Sequence, residues 1–533
     1  MRRCPFVGSV PCPSSKVACA EHGGSGIPER WPMPPGKIRG MARYFKYKIA
    51  EDVRAEAAGW GNSLPVSDDV SILFQPTAIG RMTLGNRLCI QPMEGCDGTI
   101  DGAPDELTFR RYRRFGAGGA KLIWGEATAI DEAARMNPRQ LLLNEQTAAA
   151  LEQMLAGCRR AHREACGNDT DLAVGLQLTH SGRFSYRRPQ LVTHDALLDP
   201  LTLDKSTGRF VDPSYPLLSD DDLRHIEDQY LVAARLAARI GCDFVDIKQC
   251  HRYLLSELLA ARQRPGIYGG SLENRTRLVR NVIGRIRSEL PDLTIVTRLN
   301  VYDGIPYVRH DRWQRTYGTA GAASETASDS IGIPVPHSLP IETSFGVDAN
   351  DHLKMDLDEP RQLATWLREW GVSAINVTMG NPYANPHVVR PAEFAPVDGY
   401  DAPEHPLIGV LRHFDATAAI QQAVAGFPVI GSGYSWLQDF AMQAAAGNIR
   451  DQRCSIVGLG RASLSHPDFA RQLQEHGTLN RKLICRTFSY CTNLMRTKDH
   501  PLGQYPTGCP PFDKEVYGPL WKEIEQKRTG GTP

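Results

Sequence analysis

Eight short apolar runs, each followed by a stretch with helical pattern, recur along this chain from Arg87 onward. They are Arg87–Met93, Ala120–Ala127, Leu172–His180, Phe244–Cys250, Thr294–Val301, Ser373–Gly380, Pro428–Gly433 and Cys454–Gly460. Such alternation predicts a parallel sheet wound with helices, and eight is the number of strands that closes a (β/α)8 TIM barrel of the α/β class. The helical period is legible after the fourth run, where Val279, Val282, Ile283, Ile286 and Leu290 recur on one face behind Ser271, a residue type suited to cap a helix.

At 533 residues the chain exceeds the roughly 250 of a plain barrel, so extensions are expected. Residues 1–40, rich in Pro, Gly, Ser and Cys, predict disorder. Residues 41–70 read as a helical lead-in, 71–477 as the barrel and 478–533 as a C-terminal extension with cysteines. Two connections are long, Ser181 to about Leu218 and Asp303 to about Leu353, and long loops at the C-terminal face of a barrel are commonly functional. The second holds a small-residue run from Gly318 that reads as mobile cover.

Lys plus Arg number 61 against 60 for Asp plus Glu, a net charge of +1 that argues against nucleic acid or an anionic membrane as partner. A small-molecule substrate fits better, and the sequence leaves the oligomeric state, a homo-oligomer included, open. No run approaches the roughly 18 apolar residues of a membrane span, and the N-terminus lacks an apolar signal core, so a cytoplasmic location is expected. Thirteen scattered cysteines, an odd number, fit reduced thiols better than a disulfide framework.

The chemistry-bearing residues cluster at the ends of the runs. The fourth ends Lys248-Gln-Cys-His251-Arg-Tyr253, and Tyr268-Gly-Gly-Ser-Leu-Glu-Asn-Arg275 follows. The first is preceded by Asn86, opens with Arg87, ends Pro92-Met93 and is followed by Glu94. The second ends Gly125-Glu126-Ala127, and the third contains Gln177-Leu-Thr-His180-Ser-Gly-Arg183. The fifth contains Arg298, the seventh ends Gly431-Ser432-Gly433, and the eighth ends Gly460-Arg461. Glycines at the last two positions let backbone N–H groups approach an anion, and the ends of strands seven and eight are the usual phosphate position in barrels of this kind.

These segments together resemble the Old Yellow Enzyme / NADH:flavin oxidoreductase family, whose FMN-binding TIM barrel is related to that of 2,4-dienoyl-CoA reductase. The resemblance spans roughly Ser71 to Gly477. It implies an FMN cofactor reduced by NAD(P)H, followed by hydride transfer to an electron-poor C=C bond of the enone or enoyl type, or to a related acceptor. It implies that Pro92, Met93, Glu94 and Ala127 line the flavin, that Gln177 and Arg298 hold its pyrimidine edge, and that Gly431, Ser432, Gly433, Gly460 and Arg461 hold its phosphate. Tyr253 would be the proton donor, with His251 and Lys248 where the family places a carbonyl-polarising pair.

Two residues depart from the pattern. Lys248 stands where the family has His, and Glu94 where it often has Thr or Cys; an ion pair between them would account for both departures. Two other readings stay open: a Schiff-base lyase or aldolase using Lys248, and a flavin-binding barrel without catalysis. Some relatives bind an iron–sulfur cluster through four cysteines after the barrel. Here Cys485, Cys491 and Cys509, with His500 nearby, lack the expected spacing, so no metal is expected and packing is the favoured role.

Overall fold

The computed structural model describes residues 44–317 and 330–529. The readings made for residues 1–40 and for the run from Gly318 lie outside them. Eight parallel strands close into a barrel: β1 (Leu88–Ile90), β2 (Leu122–Ala129), β3 (Ala173–Thr179), β4 (Phe244–Ile247), β5 (Thr294–Asn300), β6 (Ile375–Thr378), β7 (Val429–Gly431) and β8 (Ile456–Leu459). Each falls within a run anticipated above or overlaps it closely. Pairing follows chain order, and β8 returns to β1 with Val457 opposite Leu88.

The connecting helices form the outer layer: α1 (Glu106–Ala117), α2 (Ala148–Cys166), α3 (Asp220–Arg239), α4 (Arg277–Glu289), α5 (Asp358–Trp370), α6 (Pro406–Ala423) and α7 (Ala441–Arg450). In α4 the residues Val279, Val282, Ile283 and Ile286 are buried against the sheet, as their spacing requires. Ser271 accepts from the Asn274 N–H as an N-cap, one turn earlier than the start of α4 itself.

A hairpin, Thr77–Ile79 with Met82–Leu84, stoppers the N-terminal end. Its Ile79 and Leu84 pack with Cys89, Trp124, Phe244, Val296 and Ile430 in the barrel interior. Gly175 is required in this layer, because a Cβ there would lie 2.2 Å from the Phe244 carbonyl oxygen. With that end filled, ligand access is left to the C-terminal mouth.

The loop after β1 is held by a buried ion cluster. Arg111 of α1 pairs with Asp97 and Glu126, both at 2.8 Å, and the other Glu126 oxygen accepts from the Gly95 N–H at 2.7 Å. Arg111→Met leaves two buried carboxylates without their cation, so a loss of about 3–5 kcal/mol of unfolding free energy is expected in urea titrations. A change below about 1 kcal/mol would mean the carboxylates are neutral.

The C-terminal extension folds back over the mouth rather than forming a separate layer. Asp513 binds Arg110 and Arg114 of α1, the Thr507 N–H donates to the Gly95 carbonyl at 2.6 Å, and Arg496 donates to the Pro382 carbonyl at 3.1 Å. Among the described residues no helix is long and apolar enough to cross a membrane.

Candidate active site at the barrel mouth

Strand β4 ends in a turn in which His251 and Arg252 both take positive φ, 64° and 60°. Two successive left-handed residues are costly, of order 1–3 kcal/mol each, and persist only where the surroundings hold them. Arg252 supplies much of that hold. Its guanidinium is buried between Asp195 of the loop after β3 and Asp303 of the loop after β5, and it also donates to the Thr343 carbonyl at 2.8 Å. One side chain thereby ties both long loops to the turn that aims His251 and Tyr253.

The Tyr253 hydroxyl lies 3.1 Å from the Tyr383 hydroxyl, and the Lys248 ammonium sits 3.5 Å from the centre of the Tyr253 ring. Phe184 leans on both tyrosines, at 5.9 and 4.9 Å between ring centres. His251 reaches Thr378 at 3.4 Å, and its carbonyl accepts from the Asn381 side chain at 2.9 Å. Burial, followed by the Arg298 charge, drives the His251 pKa well down, so the ring is neutral.

The anticipated Glu94–Lys248 ion pair does not form. Glu94 accepts instead from the Asn137 side chain at 2.6 Å, while Lys248 faces the tyrosine ring. The two still sense each other's charge, but burial dominates both: it raises the Glu94 carboxyl and lowers the Lys248 ammonium. Each group is thus moved toward its neutral form, which removes the drive for a salt bridge.

Across the mouth, Gln177 donates to Asp246 at 2.6 Å, and Asp246 also accepts from the Trp124 indole at 2.7 Å and the Arg298 N–H at 2.8 Å. These bonds orient the Gln177 amide, leaving its carbonyl and second N–H to point elsewhere. Burial pushes Asp246 from the ordinary 3.8 to about 6. Because folding raises this pKa, the stabilising contribution is full below about pH 4 and is lost as pH rises through about 6. Asp246→Asn is expected to remove roughly 3 kcal/mol of that fall in urea unfolding across the same window. An unchanged slope would locate the titration elsewhere.

At the opposite side, Gly460 starts a short helix at Arg461. A Cβ on Gly460 would lie 3.2 Å from the Met93 sulfur, which places the ends of β8 and β1 side by side. Gly433 has φ 95°, where glycine is favoured. The Ser432 hydroxyl is turned inward, donating to the Val377 carbonyl at 2.8 Å and accepting from Gln91 at 3.1 Å, so its backbone rather than its side chain is left for a ligand.

The donor set fits FMN. Among the described residues, Arg298 has a buried Nε and Arg461 a buried Nη1 with no partner, one at the β5 side of the mouth and one at the β8 side. Unfilled buried donors are expensive unless a ligand completes them. Arg390, in the connection after β6, adds a third: its Nη1 meets Thr492 of the extension and its Nη2 is buried without a partner. Burial, then the neighbouring Arg496 and Arg461, pulls Arg390 to about 9, a strain on its charge that an anion would relieve.

Several sequence readings take structural roles. His180 is buried, held neutral at about 3 by burial, and accepts from the Gly182 N–H at 3.0 Å. Arg183 pairs with Asp199 and Glu257, and Arg275 with Glu359. Ala127 is buried beside Gln177, and its carbonyl accepts from Gln140 at 3.0 Å. Among the described residues no group of three His, Cys, Asp or Glu is arranged to hold a metal. Burial pushes the Cys485 and Cys509 thiols up, and these two with Cys491 form no such group.

Tyr383, Asn137, Asp246 and Arg390 were not singled out from sequence. Tyr383 and Asp246 had a signal: one follows the end of β6 by a few residues and the other lies inside β4, in the segments that build a barrel mouth. Asn137 and Arg390 lie deep in connections whose path no periodicity reveals.

Fold and site together define a (β/α)8 barrel whose C-terminal mouth gathers buried arginine, lysine and tyrosine side chains. Residues 72–313 match the model of the NADH:flavin oxidoreductase / NADH oxidase family. An NADH:flavin oxidoreductase of Gibberella zeae is 28% identical over 283 residues, covering 49% of this chain and 66% of that protein. An NADPH dehydrogenase of Bacillus pumilus is 26% identical over 410 residues, 76% of this chain and 94% of its own. In fold, 2-naphthoyl-CoA reductase superposes with a TM-score of 0.59 at 15% identity, covering 85% of this chain and 58% of that one. The old yellow enzyme homologue of Zymomonas mobilis gives 0.51 at 20% identity, covering 77% and 94%. The chain thus spans just under two thirds of the Gibberella protein and more than half of the naphthoyl-CoA reductase.

Proposed function

We propose that the protein is an FMN oxidoreductase that takes hydride from NAD(P)H and passes it to a small molecule with a C=C bond conjugated to a carbonyl. The unfilled buried donors of Arg298 and Arg461, at two sides of one mouth, carry the flavin part of this reading. Similarity to an NADPH dehydrogenase over 94% of its length supports a nicotinamide reductant.

Bound FMN would supply reversible hydride storage. The chain's own residues would do the rest. Arg298 and the Gln177 amide would bind the pyrimidine edge, where a fixed cation favours the anionic reduced ring. Arg461, with the Gly431–Gly433 and Gly460 backbone, would bind the phosphate. Lys248 and His251 would face the substrate carbonyl, and Tyr253 would give its phenolic proton to the carbon next to that carbonyl. The Tyr383 hydroxyl, 3.1 Å behind it, is placed to pass a proton back. Phe184 supplies an apolar wall beside the tyrosines, which suits a flat unsaturated substrate.

An anaerobic titration of the purified protein with NADH and with NADPH tests this, read by flavin absorbance near about 450 nm with cyclohex-2-enone added afterwards. Bleaching by a nicotinamide and recovery with the enone is the expected result. Protein that neither carries nor takes up FMN would sink the proposal.

A further inference from the structure

We infer that Lys248 captures the substrate carbonyl covalently, its ε-amine condensing with an aldehyde or ketone to form an imine in the barrel mouth. This rests on the reading of the mouth as a carbonyl site and goes beyond it, because a hydrogen-bond donor becomes a nucleophile.

Three observations carry it. Lys248 leaves the C-terminal end of β4 with only 5% of its surface exposed, yet among the described residues it makes no ion pair. The described partner of its nitrogen is the face of the Tyr253 ring at 3.5 Å. A cation–π contact is worth about 0.5–2 kcal/mol, less than the several kcal/mol that burying an ammonium costs. The imbalance pulls toward the free amine, the same direction in which burial lowers this lysine against the raising charges of Cys250, Glu94 and Asp246. A neutral buried lysine at a barrel mouth is a nucleophile rather than a hydrogen-bonding cation.

Acid groups stand ready for the proton steps. The Lys248 nitrogen forms a bond to the carbonyl carbon as the C=O π bond breaks, and the oxygen takes a proton to give a carbinolamine. That hydroxyl leaves as water with a second proton while nitrogen loses its own, so amine plus carbonyl becomes imine plus water, with no oxidant or reductant consumed. Glu94, whose carboxyl burial favours in the protonated form, and the Tyr253–Tyr383 phenol pair are the nearby donors. A protonated imine withdraws electrons more strongly than a carbonyl, so the conjugated carbon becomes a better hydride acceptor.

The test uses the whole protein at neutral pH with benzaldehyde, which has no conjugate-addition site, and sodium cyanoborohydride to trap the imine as a secondary amine. Peptide mass spectrometry should find Lys248 benzylated about tenfold faster than exposed Lys354, as expected for a larger free-amine fraction. Lys248→Arg should lose that label and keep the one on Lys354. Labelling of Lys248 no faster than Lys354 overturns the inference. Flavin absorbance of the same sample scores the other reading. A yellow, nicotinamide-bleached protein with unlabelled Lys248 loses only the imine, and a colourless protein that takes up no FMN but labels at Lys248 loses only the flavin.

Discussion

Tyr253→Phe is expected to slow reoxidation of the reduced protein by an enone by about 10²- to 10⁴-fold, the usual contribution of a positioned proton donor. Reduction by NAD(P)H should be unchanged, since the proposed role of the phenol is in the acceptor half-reaction and the aromatic ring against Lys248 is retained. Rapid mixing of the two half-reactions separates them. Tyr383→Phe removes the hydroxyl partner and leaves the donor, so a smaller loss of roughly fivefold in the same half-reaction is expected, about one hydrogen bond. Equal slowing of both half-reactions by Tyr253→Phe would mean that the phenol shapes the flavin site instead. No slowing would move the proton source to Glu94.

Arg461→Ala should weaken FMN binding to the flavin-free protein by roughly 10- to 100-fold, the worth of one charged hydrogen-bonding contact. Riboflavin, which lacks the phosphate, should bind the variant as it binds the wild type. Quenching of flavin fluorescence measures both. Arg390→Gln is the companion, because its unfilled Nη2 and its proximity to Arg461 put it within electrostatic reach of the same anion. If Arg461→Ala weakens riboflavin and FMN alike, the guanidinium holds the fold of the mouth through its bond to the Pro391 carbonyl, not the phosphate.

Much of the barrel was legible because a strand buried on both faces must be apolar at nearly every position. β3 is buried throughout, and its run is unmistakable in the sequence. Gln177 and Arg298 lie within barrel strands, so strand register determines where they face, whereas Tyr253 follows the left-handed turn at His251 and Arg252, which the sequence does not reveal. Legibility failed where position depends on a loop's path. Asn137 reaches Glu94 from the connection after β2, and Arg390 meets Thr492 over 100 residues later. The Glu94–Lys248 pair failed for a different reason. Complementary charges in sequence predict attraction, but in a buried mouth desolvation outweighs it and each group finds a cheaper partner.

The sequence by itself determined a (β/α)8 barrel, because apolar periodicity and chain order suffice to close eight parallel strands. Only the tertiary structure decided the electrostatic state of the mouth. That state is a sum over burial and neighbours drawn from several loops and the C-terminal extension. Among the described residues it leaves Lys248 without an ion-pair partner and against a tyrosine ring, and it leaves Arg298, Arg390 and Arg461 with donors unfilled.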